Sequence, residues 1–195
     1  MTVSIITVTL NRSQTLENTI QSVMSQTYQD IEYILVDGGS NDGTRELIEA
    51  FEPLFKGRLK WISEKDNGIY DAMNKGIQLS TGQIIGFLNS DDFFSSNTII
   101  QQVVDQFTKL NIDAIYGDVH YVLKDDVSKS VRYYSSRIFR PWLMRFGFMP
   151  AHPSFYCRRA IFQKYGLFDA TYSISADFEL LVRFIRIHHI RTYYL

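Results

Sequence analysis

Residues 84–93, IIGFLNSDDF, carry an apolar run, Ile84-Ile-Gly-Phe-Leu88, straight into two adjacent carboxylates, Asp91 and Asp92. The run has the length and composition of a buried strand, bounded by polar turn residues. Two like charges at the end of such a strand have two readings. Either the Ser-Asp pair caps a helix, or a cation offsets the repulsion between the two acids.

Upstream, short β-rich runs alternate with helical patterns. Residues 3–9 read as a first strand, and Asn11 followed by Gln14 as the N-cap of a helix bearing Leu16, Ile20, Val23 and Met24. Residues 31–36 form a second strand ending at Asp37, GGSNDG a turn, and 44–51 a short helix. A third strand is expected over 59–62, then a helix over about 69–79 with Tyr70, Met73 and Ile77 on one face. Gly82 breaks it ahead of the opening strand. This alternation predicts an α/β fold, with a mostly parallel central sheet flanked by helices. A further helix runs from Asn97 to about Leu110, and 113–122 reads as two strand pieces bent at Gly117. Beyond that the order is irregular, with short helices expected over 140–148, 158–165 and 176–186. We find no repeat, low-complexity tract or linker, so one domain of two unlike halves is expected, 1–112 and 113–195.

The 195 residues suit one domain with a sizeable core. A single cysteine, Cys157, rules out an intrachain disulfide and fits a reducing, cytoplasmic location. The N-terminus lacks the basic segment of a signal peptide, and no apolar run is long enough to span a bilayer. The formal charge of -1 conceals an asymmetry: residues 1–126 hold 18 Asp and Glu against 9 Lys and Arg. Segment 127–168 has no acid and eight bases, among them Arg132, Arg137, Arg140 and Arg145, interleaved with aromatic residues. Such a segment suits an anionic membrane surface or substrate, and equally a solvated basic face. Trp61 and Trp142 read as packing residues.

Ligands of open α/β sheets sit beyond the carboxyl ends of the strands. Three polar groups fall there together: Thr9-Leu-Asn11, Asp37–Asp42 and Ser90-Asp-Asp92. Magnesium or manganese suits the acid pair, with the missing ligands drawn from a bound diphosphate. The glycines of the turn after Asp37 admit close backbone approach to a ligand, or simply a tight turn.

SIITVTLNRS, EYILVDGGSNDGT, EKDNGIYDAMNKGIQLSTGQIIGFLNSDD and HPSFYCRRAIFQKYGLFDATYSISADFELLVR occur in that order across nearly the whole chain. Together they resemble the family 2 glycosyltransferases of bacterial polysaccharide synthesis. The resemblance implies a GT-A fold, a nucleoside-diphosphate sugar donor, most simply UDP-linked, Mn2+ or Mg2+, and inversion at the anomeric carbon. It also implies a saccharide or lipid-linked acceptor and no nucleic acid. It places Thr9 and Asn11 along the nucleoside, Asp37 on the base, Asn74 in the donor site, Asp91 toward the ribose and Asp92, with Asp91, at the metal. Asp177 matches the catalytic base. By its residue type and place near a helix start, Asp177 also reads as a first-turn acid.

Three positions depart from the family pattern. Leu10 stands for a stacking tyrosine, Met73 for an arginine and Gly38 for a second aspartate. The loss of the arginine leaves Lys75, Lys65 or an arginine of the basic segment to meet the phosphates. His152 is read as a contact to metal, donor phosphate or acceptor, or as a structural histidine. Glu179 is expected to be structural. Residues 190–195 begin a strand and stop, so an acceptor- or membrane-docking part is expected after it. The rival readings are a non-catalytic nucleotide-sugar-binding module and a sugar nucleotidyltransferase. The latter lacks its Gly-rich loop in Thr9-Leu-Asn-Arg-Ser13.

Overall fold

A computed structural model describes residues 1–123 and 126–195. Seven strands form one sheet in the order β3-β2-β1-β4-β8-β5-β9. They are β1 Val3–Thr9, β2 Ile31–Asp37, β3 Leu59–Ser63, β4 Ile84–Phe87, β5 Ala114–Tyr116, β8 Tyr156–Arg158 and β9 Thr192–Tyr194. β3, β2, β1 and β4 run parallel, and the βαβ crossovers leave every residue of β1 and β2 buried. Alternate side chains feed two cores. Val3 and Ile5 pack with Leu16 and Ile20 of α1 (Leu16–Met24) and Ile48 of α2 (Thr44–Phe51), joined by Ile100 of α4 (Ile99–Lys109). Ile6 and Val8 face Met73 and Ile77 of α3 (Ile69–Leu79), and the same cluster takes in Phe162 of α5 (Arg159–Tyr165) and Leu180 of α6 (Ala176–Leu181).

The architecture is α/β with a mostly parallel central sheet, as the strand–helix alternation predicts. Two strands escaped that reading. β8 has three residues and runs antiparallel between β4 and β5, with Gly86 opposite Tyr156. A Cβ at Gly86 would lie 2.4 Å from the Tyr156 ring, so a glycine there lets the two strands close up. β7 (Asp126–Tyr134) pairs with β6 (Val119–Leu123) in a separate two-stranded sheet. The bend at Gly117 therefore divides two sheets.

Four local expectations are corrected. Asn11 does not cap α1: it has a left-handed backbone (φ 52), and Thr15 is the residue that precedes the helix. The stretch over 140–148 is a 3-10 helix, Pro141–Phe146, and the expected 176–186 helix turns into a π-helix over Val182–Ile187. Trp142 is not packed away but 58% exposed. No helix among the described residues is long and apolar enough to cross a membrane.

Candidate active site

The antiparallel entry of β8 assembles the site. Because Tyr156 sits opposite Gly86, the residues before it, His152–Ser154, lie beside the carboxyl end of β4. β5 and β9 also end at this edge, at Gly117-Asp118 and Leu195, since both are parallel to β4. A cleft of about 840 Å³ opens there, lined by Asp91, Asp92, Asp118, Tyr134 and His152.

Asp91 and Asp92 cap no helix, because α4 starts at Ile99 behind Thr98. Hydroxyls on β1, on α1 and at the residue just before α1 hold their segment. Thr7 donates to Leu88 O (2.7 Å), Thr15 to Ser90 O (2.9 Å) and Thr19 to Asp92 O (2.8 Å). Asp91 is exposed, whereas Asp92 is half-buried and accepts a hydrogen bond from Asn89 Nδ2 at 2.8 Å. Burial pushes the Asp92 carboxyl above its ordinary range, and the charge of Asp91 adds to this against the pull of Asn89 and His152.

A partly desolvated carboxylate beside a second acid is a place where a divalent cation relieves the electrostatic cost. No group of three metal-binding side chains occurs among the described residues. The fit is therefore to a cation held by one or two carboxylates and completed by water and phosphate oxygens, which magnesium and manganese accept.

Asp177 lies in the first turn of α6. Its Oδ1 accepts a hydrogen bond from Tyr70 (3.0 Å), and its Oδ2 is 3.5 Å from His152 Nδ1. Burial pushes the imidazole of His152 down, although Asp177 and Asp92 both pull it upward. His152 is thus within electrostatic reach of Asp92 and beside Asp177 at once. The structure brings together Asp92, His152 and Asp177, from three distant parts of the chain.

The remaining expected site residues are placed differently. Thr9 is almost fully buried, and its hydroxyl has no partner among the described residues. Asn11 ties its loop to the next one, accepting from Asn41 N (3.0 Å) while its own N–H donates to Ser40 Oγ (2.7 Å). Asp37 is fully buried, and its carboxylate accepts from Gly39 N, Ser40 N, Ser40 Oγ and Ser63 Oγ. Asn74 clamps Phe168, donating to its carbonyl (2.9 Å) and accepting from its N–H (3.0 Å). Lys75 is paired with Glu64 (2.8 Å) and Asp71 (3.6 Å), whereas Lys65 is exposed. Glu179 is structural, holding Arg183 at 2.9 Å.

Sequence reasoning missed three partners. Tyr70, with Asp71, read from the sequence as a residue facing the donor across the loop, yet its hydroxyl reaches Asp177. Asn89, adjacent to the acid pair, steadies Asp92. Asp66 places Oδ2 2.5 Å from where a side chain on Gly38 would begin, so a carboxylate stands where the family pattern expects one.

Comparison with known proteins bears on the family and the fold. The family model described as Glycosyl transferase family 2 matches residues 4–166. A PGL/p-HBAD biosynthesis glycosyltransferase of Mycobacterium bovis is 32% identical over 181 residues, covering 92% of this chain and 68% of the relative. An uncharacterized glycosyltransferase of Mycobacterium tuberculosis is 34% identical over 186 residues, covering 93% and 68%. Among solved structures, S. aureus TarS 1-349 in complex with UDP superposes with a TM-score of 0.80 at 16% identity, over 100% of this chain and 58% of that one. A mannosyltransferase from Pyrobaculum calidifontis, in complex with GDP-Man and Mn2+, gives 0.76 at 18% identity, over 99% and 54%. The chain thus spans little more than half of these solved chains and about two thirds of its curated relatives. Its fold is that of the GT-A glycosyltransferases, and the chain belongs to glycosyl transferase family 2.

Proposed function

We propose that this chain is an inverting transferase that moves a sugar from a nucleoside-diphosphate donor, UDP-linked in our reading, to a saccharide or lipid-linked acceptor. Residues 1–112 hold the donor, and 113–195 form the acceptor side. The reaction belongs to cell-surface polysaccharide synthesis at the cytoplasmic face of the membrane. The observation that carries the reading is the meeting of Asp92, His152 and Asp177 beside a cleft at the carboxyl edge of the sheet.

Asp177 is the general base. A sugar hydroxyl is a weak nucleophile near neutral pH, and a carboxylate in hydrogen-bond reach takes its proton as the bond to the anomeric carbon forms. Tyr70 fixes one oxygen of that carboxylate, which leaves Oδ2, on the His152 side, for the acceptor. Asp91 and Asp92 would hold Mn2+ or Mg2+, which when bound would supply positive charge against the diphosphate leaving group. Asp91 also turns toward the ribose. Thr9 and Asn11 line the nucleoside, and Lys65, with its ammonium in solvent, is better placed than Lys75 to meet phosphate. Sealed by its own loop, Asp37 shapes the base pocket from beneath, and the Asp66 carboxylate beside Gly38 supplies the acceptor for a base N–H. With no second carboxylate assigned as a covalent nucleophile, displacement is single and the anomeric centre inverts.

Calorimetry with UDP, GDP and dTDP, each with and without Mn2+, tests this scheme. UDP should bind most tightly, and only with the metal; Asp92→Ala should abolish the metal requirement together with most of the affinity. Equal binding without Mn2+, or unchanged binding in Asp92→Ala, would refute the assignment.

A further inference from the structure

The basic segment presents a compact apolar surface. From Arg137 through the 3-10 helix Pro141–Phe146, two buried side chains are set among exposed ones. Phe139 and Met144 are buried, 2% and 4% exposed, in the same core cluster as Leu180 of α6. Ile138, Trp142 and Phe146 point out at 70%, 58% and 77% exposure, and the two aromatic rings meet edge to face at 6.1 Å. Arg137, Arg140 and Arg145 surround them in sequence, all exposed and none in an ion pair among the described residues.

We propose that Ile138, Trp142 and Phe146, flanked by Arg137, Arg140 and Arg145, form a docking surface for an anionic lipid bilayer. Large apolar side chains this exposed, with two of the rings in contact, mark an interaction surface. The charge around them selects the partner. No acid occurs from Val127 to Phe168, so the rim matches anionic headgroups, while Trp and Phe suit the boundary between headgroup and acyl chain. A patch of this kind holds a protein at the surface of a bilayer without spanning it.

The surface is also mechanically joined to the candidate site. Phe139 packs edge to face on Tyr116 and contacts Phe148, Tyr134 donates to Met149 O (2.6 Å), and Ala151 N donates to Ser136 Oγ (3.3 Å). These ties lead directly to His152. A bilayer held at Trp142 would therefore keep the cleft at a fixed offset from the membrane, suited to an acceptor anchored in lipid. The inference stands apart from the donor assignment, since it needs neither nucleotide nor turnover.

Sedimentation of the whole chain with vesicles of phosphatidylcholine alone, or with a third phosphatidylglycerol, tests it at low and high salt. Binding should require the anionic lipid and fall at least tenfold at high salt. Trp142→Ser/Phe146→Ser and Arg137→Gln/Arg145→Gln should each weaken it about tenfold, with melting temperatures unchanged because these side chains are exposed. In Trp61→Phe, which leaves Trp142 as the sole tryptophan, brominated lipids should quench the fluorescence. Absence of binding to anionic vesicles, equal binding to neutral ones, or no quenching overturns the proposal. A chain that dimerises through this face, with Trp142→Ser giving monomers and no vesicle binding in either form, assigns the surface to a second copy instead.

Discussion

Strands β1 and β7 show how differently the two halves of the chain use β-structure. All seven residues of β1 are buried between helices, whereas seven of the nine in β7 are exposed. The first half is a run of βαβ units, in which each strand is stabilised by neighbours close in sequence. The second half is stabilised from afar. β8 wedges between β4 and β5, and the β6–β7 hairpin, marginal alone, is pinned by Asp118, which accepts from Tyr133, Tyr194 and Ser136 N. The site lies where these two kinds of structure meet, with the acid pair from one side and His152 and Asp177 from the other.

The sharpest way to separate their contributions is Asp177→Asn. It retains the shape of the side chain and the Tyr70 contact but removes the carboxylate proposed as the base. Sugar transfer should fall by about 10²–10⁴-fold, the usual range for a positioned general base. Donor binding by calorimetry should be unaltered if, as proposed, it belongs to the first half. Retained transfer would remove Asp177 from the chemistry.

This division also explains what was legible in the sequence. The strands of the first half could be read to within a residue because buried parallel strands are continuous apolar runs with polar ends. The acid pair stood out because it followed such a strand. β8 could not be read: Tyr156-Cys-Arg158 is too short for a period, and its place depends on Gly86, some 70 residues earlier. Nor could the outward face of Trp142, since composition marks an aromatic residue as core material until the fold shows which way it points. Tyr70 was legible as a helix-face residue but not as a partner of Asp177, 107 positions away.

At the opposite, amino end of the parallel strands, Glu32 tests how far the first half is stabilised without the second. It is 7% exposed and accepts from Ser4 Oγ (2.5 Å), Lys60 Nζ (2.6 Å), and Thr81 N and Oγ1 (2.8 Å each). Burial alone would raise its pKa, but hydrogen bonds from Lys60, Ser4 and Thr81 outweigh this and hold the carboxyl down at about 2. A carboxyl depressed in the folded state stabilises that state at pH values above its unfolded pKa. The contribution is lost as pH falls from about 4.5 to about 2. Allowing for solvent at the Lys60 end, where that side chain is 45% exposed, the contribution at pH 7 is about 2 kcal/mol. Urea unfolding of Glu32→Gln should show a loss of this size at pH 7 and a gap that closes toward pH 2, with donor affinity unchanged. A gap independent of pH would mean that packing, not charge, sets the role of Glu32.

The smallest effect is the most discriminating, because Asn74 is claimed by both halves. Its resemblance to a donor-site asparagine predicts that Asn74→Ala weakens nucleotide binding. In the structure both atoms of its amide are taken up by the backbone of Phe168, whose ring packs on Tyr70 and Phe87. Phe168 begins the segment leading to α6, so the clamp holds Asp177 in register with Tyr70. Loss of two hydrogen bonds, with partial access of water to the freed groups, should cost about 1 kcal/mol of stability. It should lower kcat for transfer several-fold while leaving UDP affinity intact. A fall in UDP affinity at unchanged stability would return Asn74 to the donor site, and with it the boundary between the halves would move to the far side of α3.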